Sequence, residues 1–185
     1  MAGCMRDELL TSLPLVDAIL ANHTDVVGAD LAGYRHHVYR VVNIAAWHAR
    51  PAAHELDVLQ VAGAFHDLGI WTARTFDYLA PSMALARDYL TRTGRSAAVD
   101  GVEAMIAQHH KVTRVAAPEG SMVEAFRQAD WVDVTAGVVR FDLPLDVLDR
   151  IRRRWPDEGF HWRLMQLSAA RLVTHPRSPL PMLRW

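Results

Sequence analysis

Prolines, glycines and small polar residues cut this chain into stretches of helical length, and within them apolar side chains recur every three or four positions rather than every second one. Ser12-Leu13-Pro14 opens an apolar segment that reaches Leu20, with Pro14 in an early turn where a helix tolerates it. Asp30 is placed to cap a segment from Leu31 to Arg50 that stops at Pro51. A third runs from Ala53 to Leu68 and ends at Gly69, a residue type favoured just past a helix C-terminus. Pro81-Ser82 starts a fourth that ends at Gly94, and Ser96 a fifth that runs to about Lys111. Ser121-Met-Val-Glu124 has the form of a capping box and predicts a helix reaching Gly137. Segments from Leu145 to Arg154 and from Phe160 to Thr174 follow, separated by Pro156-Asp-Glu-Gly159. No strand-like alternation, repeat or low-complexity tract interrupts the pattern. The expectation is an all-α fold, a compact bundle of about six to nine helices. A length of 185 residues suits one domain over 1–185, with C-terminal helices at about 144–175.

Composition narrows the function classes. Apolar residues make up 51% and charged ones 22%, which excludes a disordered or collagen-like chain. A formal charge of -1 supplies no field to attract a polyanion, so no nucleic acid and no membrane is expected as a partner. The basic run from Arg150 to Arg154 reads as a solvated helix face, with no stacking aromatics interleaved. Cys4 is the single cysteine, so no internal disulfide forms and a reducing, cytoplasmic setting is expected. The first twenty residues carry Arg6, Asp7, Glu8 and Asp17 and read neither as a signal peptide nor as a membrane span. Two biases stand out: ten histidines, and a basic set that is all arginine except Lys111.

The histidines gain meaning from the helical faces on which they fall. Leu31, Tyr34, Val38, Val41, Val42 and Ala45 define an apolar stripe, with His37 at its edge and His36 opposite, beside Asn43. His48 shares the side of His37 but lies about 16 Å further along the helix, too far to bind the same ion. The segment Val58 to Phe65 is apolar nearly all round and ends His66-Asp67-Leu68-Gly69. A buried carboxylate at a helix C-terminus needs a positive partner, either an arginine or a cation held by His66 and Asp67 together. Later in the chain, Val123, Phe126 and Val134 mark a core side with Asp130 in its middle and Asp133 toward its edge. Val99, Val102 and Ile106 put His109 near the apolar side and His110 at its margin, so that one of the two reaches the interior.

Four segments thus aim an imidazole or a carboxylate into one core. One divalent ion would satisfy them together; separate salt bridges remain the plainer alternative. Imidazoles and carboxylates without thiolate suit Mn²⁺, Fe²⁺, Ni²⁺, Co²⁺, Mg²⁺ or Zn²⁺.

The order His37, then His66-Asp67, then Asp130 resembles the H…HD…D signature of the HD-domain superfamily of metal-dependent phosphohydrolases. The flanks resemble it too. His37-Val-Tyr-Arg40-Val41 is similar to the HxxRV opening, Ala64-Phe-His-Asp-Leu-Gly69 to the (A/L)xHDxG centre, and Ala129-Asp130-Trp131 to the closing AD. The resemblance covers residues 30 to 140, approximately. It implies that His37, His66, Asp67 and Asp130 are the metal ligands and that the fold is HD-like. Binuclear relatives carry a further ligand histidine at the start of the helix after HD, where this chain has Ser82, whereas His109-His110 resembles their late HH. One metal is therefore expected, with a second left open, and His109 or His110 acting beside it.

The chemistry so implied is hydrolysis by a metal-activated water, of a small phosphate ester or a nucleotide. His109 and His110 are the expected catalytic residues, moving a proton or binding a developing anion. Arg40 and Lys111 are candidate anion partners, and the aromatic-rich segment after Gly69 offers Trp71, Arg74, Phe76 and Tyr78 as pocket walls. Two alternatives stay open. One is hydration or hydrolysis of a small non-phosphate molecule, since cyanamide hydratases also resemble single-metal HD domains that lack the extra histidine. The other is a non-catalytic ligand-sensing domain. The partner is a small-molecule substrate in either catalytic reading, and a homo-oligomer is left open.

Overall fold

A computed structural model describes residues 8–116, 118, 121–178 and 180–183; Cys4 lies outside them. Ten helices follow one another: α1 (Pro14–Ala21), α2 (Thr24–Val27), α3 (Leu31–Ala49), α4 (Ala53–Phe65), α5 (Gly69–Thr72), α6 (Leu79–Arg92), α7 (Val99–Gln108), α8 (Met122–Val134), α9 (Leu145–Arg154) and α10 (Phe160–Thr174). Here α2 and α5 are single turns, and the other eight helices form a compact all-α bundle. Among the described residues no strand forms, and no helix is long and apolar enough to cross a membrane.

The longest helix, α3, is the axis of the bundle. It packs along α8 and α4, with α1, α9 and the start of α10 against its remaining sides. From His37 to Ala45 it is buried all round, so the expectation that Asn43 faces outward is corrected. The chain before α1 crosses that face, and the Asn43 amide meets it: Oδ1 accepts the Leu10 N–H at 2.8 Å. Amphipathic periodicity finds one buried face, and a helix enclosed by five neighbours has no second face left for solvent.

Close approach of α3 and α4 depends on Gly63. A Cβ there would stand 2.8 Å from Val42 Cγ2 and 3.3 Å from Val38 Cγ1. Gly63→Ala is expected to lower stability by about 1–3 kcal/mol, because β-branched valines cannot swing aside; the gain of about 1 kcal/mol in helix propensity offsets only part. Chemical denaturation with an unchanged m-value checks this, and equal or higher stability would refute the close contact.

Three terminal signals work differently from expectation. Asp30 precedes α3 without a side-chain capping bond, its carboxylate being taken by Trp71 and Arg163. Gly69 is not the left-handed stop of α4, which ends at Phe65; it begins α5. Its missing side chain admits the start of α6, since a Cβ would lie 2.6 Å from the Tyr78 carbonyl oxygen and 2.8 Å from Ser82 Oγ. The Gly69 N–H donates to that Oγ at 2.9 Å. Likewise Ser121 precedes α8 without forming the predicted capping box. Glu124 instead takes two hydrogen bonds from Arg127, at 2.8 and 2.6 Å, and one from the Val115 N–H at 2.9 Å. A guanidinium one turn away is a stronger donor than a backbone amide and wins the carboxylate.

Candidate metal centre

Six side chains from four places converge where α3, α4, α7 and α8 meet. His37 projects from the middle of α3 and Asp130 from α8. His66 and Asp67 lie in the turn between α4 and α5, and His109 and His110 in the turn after α7. Five of the six are buried, and His110, with 13% of its side chain exposed, is the outermost. Their ligand atoms form three overlapping sets, each within 4.8 Å: His37 with His66 and Asp130, His66 with Asp67 and His109, and His109 with His110 and Asp130. Buried His and Asp groups able to hold a metal ion are thus present.

Hydrogen bonds on the outer side of each ring decide what faces inward. His37 Nδ1 lies 2.7 Å from Asp133 Oδ2. His66 Nδ1 lies 2.7 Å from the Gly63 carbonyl oxygen, and His109 Nδ1 2.7 Å from that of Ile106. Carbonyl and carboxylate oxygens only accept, so each Nδ1 carries a proton, and in its neutral form each ring turns the Nε2 lone pair inward. His37 Nε2 and His66 Nε2 then face one another at 2.9 Å with no hydrogen between them in the neutral rings. Asp67 Oδ1, His109 Nε2 and both Asp130 oxygens are buried without a hydrogen-bond partner. Such a collection of inward acceptors is costly without something positive among them.

The spacing fits an ion. Two nitrogens at about 2.1 Å from one metal and at right angles stand about 3.0 Å apart, and at a tetrahedral angle about 3.4 Å. Around His37 Nε2 and His66 Nε2, Asp67 Oδ2 lies at 3.6 and 3.4 Å and Asp130 Oδ1 at 3.5 and 3.7 Å. Each expected carboxylate ligand therefore stands near both imidazole nitrogens, at or a few tenths of an ångström beyond the tetrahedral edge.

Without a cation, burial dominates the electrostatics. It lifts the Asp130 carboxyl to about 7 and depresses the His66 imidazole to about 3. Burial pulls His109 down as well, but Asp67 and Asp130 outweigh it and raise that ring above its ordinary value. Asp133 behaves oppositely. Burial pushes it up, yet the hydrogen bond from His37 and the Arg40 guanidinium prevail and hold it well below the usual carboxylate range.

Arg40 lies on the outside of the centre. Its Nε and Nη2 donate to the two Asp133 oxygens at 2.6 and 2.8 Å, and its Nη1 to the Trp155 and Pro156 carbonyl oxygens at 3.1 and 3.2 Å. This buried guanidinium is committed to a structural pair, in place of the substrate contact expected of it. Tyr78 does reach the centre, its hydroxyl 2.6 Å from His110 Nε2, while His110 Nδ1 lies 3.2 Å from Asp130 Oδ2. Trp71 and the exposed Arg74 line a separate cleft. Lys111, half-buried, contributes its carbonyl oxygen to the Arg127 guanidinium and the Trp131 indole.

Residues outside the expected set complete the surroundings. Asp133, placed by the helical pattern only toward the edge of the core side, orients His37. Phe160 stacks on the His37 ring at 4.1 Å, and Tyr34 donates its hydroxyl to the Ala64 carbonyl beside the His66 turn. Position i+3 from Asp130 was the available signal for Asp133; none in the sequence links Phe160 to His37. Comparison with protein-family models, curated proteins and solved structures finds no match for this chain.

Proposed function

We propose that the chain is a metal-dependent hydrolase of the HD-domain type, with His37, His66, Asp67 and Asp130 as ligands of one divalent ion. The observation that carries this reading is the locked set of imidazoles: three outer nitrogens bound to acceptors, three inner nitrogens aimed at two aspartates. Hydrogen-bond partners that orient ligand histidines in this way are a regular part of metal sites. The donor set favours Mn²⁺, Fe²⁺, Ni²⁺, Co²⁺, Mg²⁺ or Zn²⁺. Ser82 supports a single ion, because its hydroxyl clasps the Gly69 N–H where binuclear relatives would offer a histidine.

When bound, a divalent ion supplies the charge that acidifies water and polarises an electrophile. The chain's own residues do the rest. His110, the outermost member and hydrogen-bonded to Tyr78, holds or passes a proton at its ring nitrogens; His109 offers its inward Nε2, 3.4 Å from Asp67 Oδ1, as a proton acceptor. The motif resemblance supports a small phosphate ester or nucleotide as substrate. The commitment of Arg40 to Asp133 favours a second reading, hydrolysis or hydration of a small uncharged molecule of the cyanamide kind, which needs no guanidinium beside the centre.

Elemental analysis, followed by a screen of phosphomonoesters, nucleotides and small nitriles with each metal, tests both. One bound divalent ion per chain and chelator-sensitive turnover are expected. Full turnover by metal-free protein would overturn the proposal, and turnover of nitriles alone would select the second reading.

A further inference from the structure

We infer that the cleft between α5 and α10 is a second ligand site, separate from the histidine–aspartate centre and built for a small planar organic anion. Its volume is about 350 Å³, at the small end of the roughly 300–1,000 Å³ typical of ligand pockets. It is lined by Ile70 and Trp71 of α5, by Arg74 and Phe76 of the segment that follows, and by Arg163 and Leu167 of α10. The lining thus brings two arginines together with two aromatic and several aliphatic residues. Guanidinium forks match carboxylate and phosphate oxygens, and aromatic faces take a flat apolar body.

This arrangement is held in place from behind. Asp30 Oδ2 accepts both the Trp71 indole N–H at 2.8 Å and the Arg163 Nε–H at 2.9 Å, orienting the stacking face and one fork together. Asp30 balances one of the two cations, which leaves the cleft net positive. Arg74 carries a left-handed φ of 51° in the segment that follows α5. The separation from the metal centre is also structural. Trp71 packs on Tyr34 with ring centroids 4.7 Å apart, and Tyr34 in turn stands 6.4 and 6.1 Å from the His37 and His66 rings. Two aromatic layers therefore lie between the cleft and the ligand nitrogens. A molecule filling this volume sits beside the centre rather than in it.

The test is calorimetric titration of the purified chain with benzoate and with adenosine 5′-monophosphate, using benzamide and inorganic phosphate as controls. The two anions distinguish a carboxylate from a phosphate source of the same chemistry. Saturable binding of at least one planar anion is expected, tighter than either control. Arg74→Ala and Arg163→Ala should each weaken it about tenfold or more. Arg74 is exposed, so its removal leaves the fold intact should Arg163→Ala loosen α10. Quenching of indole fluorescence should disappear in Trp71→Phe. Asp67→Ala should keep the binding, which makes this result independent of the metal reading. Absence of binding by both anions, binding unchanged in Arg74→Ala, or binding lost in Asp67→Ala would overturn the separate site.

Discussion

Asp67→Ala is expected to empty the centre of metal and to remove turnover together. Asp67 presents Oδ2 to His37 and His66 and turns Oδ1 toward His109, so one carboxylate touches three of the inward imidazoles. Its loss leaves Asp130 as the only charged ligand among buried nitrogens, and one carboxylate is a weak hold on a divalent ion that must shed water to enter. Disturbing an outer partner of a ligand costs about 10–100-fold in affinity, and loss of a ligand itself should exceed that. Elemental analysis should find no stoichiometric metal in this variant, and turnover should fall to background. Unchanged stoichiometry would refute the ligand assignment. His109→Ala should separate the roles, keeping the ion while slowing turnover; loss of half the metal would point instead to a binuclear centre.

Asp133→Asn is expected to cost about 3–5 kcal/mol in stability and about 10–100-fold in metal affinity. The amide keeps the shape of the carboxylate but not its charge, and the buried Arg40 guanidinium is then left with only the half-exposed Asp157 carboxylate, 3.9 Å from its Nη2. The double variant Arg40→Met, Asp133→Asn should recover most of the stability, because no unpaired charge remains buried, while metal affinity stays low. Denaturant titration and metal competition measure the two quantities separately. If the double variant were as unstable as the single one, the ion pair would not be the source of the loss.

Much of the centre is legible in the sequence. His37 and Asp130 interrupt apolar stripes on regular helices, where the angular step per residue is reliable, and both are buried at the centre. His66-Asp67 was marked by the cost of a carboxylate at the end of an apolar helix. The histidine pair was only half legible: one ring was expected inside, yet both arrive, because α7 stops at Gln108 and the next two residues turn with a different geometry. Arg40 shows a different limit. A helical wheel gives a direction, but its partner Asp133 lies 93 residues away, and only packing of α3 on α8 decides which charge it meets. Phe160 follows the same logic. It caps the His37 ring from a helix that nothing in the motif includes.

The scattering of the ligands along the chain carries a thermodynamic consequence. An ion bound as proposed to residues 37, 66, 67 and 130 would tie segments that are remote in sequence, closing long loops much as a covalent cross-link does. Loading would therefore slow hydrogen exchange in α3, α4 and α8 as one cooperative unit, and leave exchange at the far end of α10 unchanged.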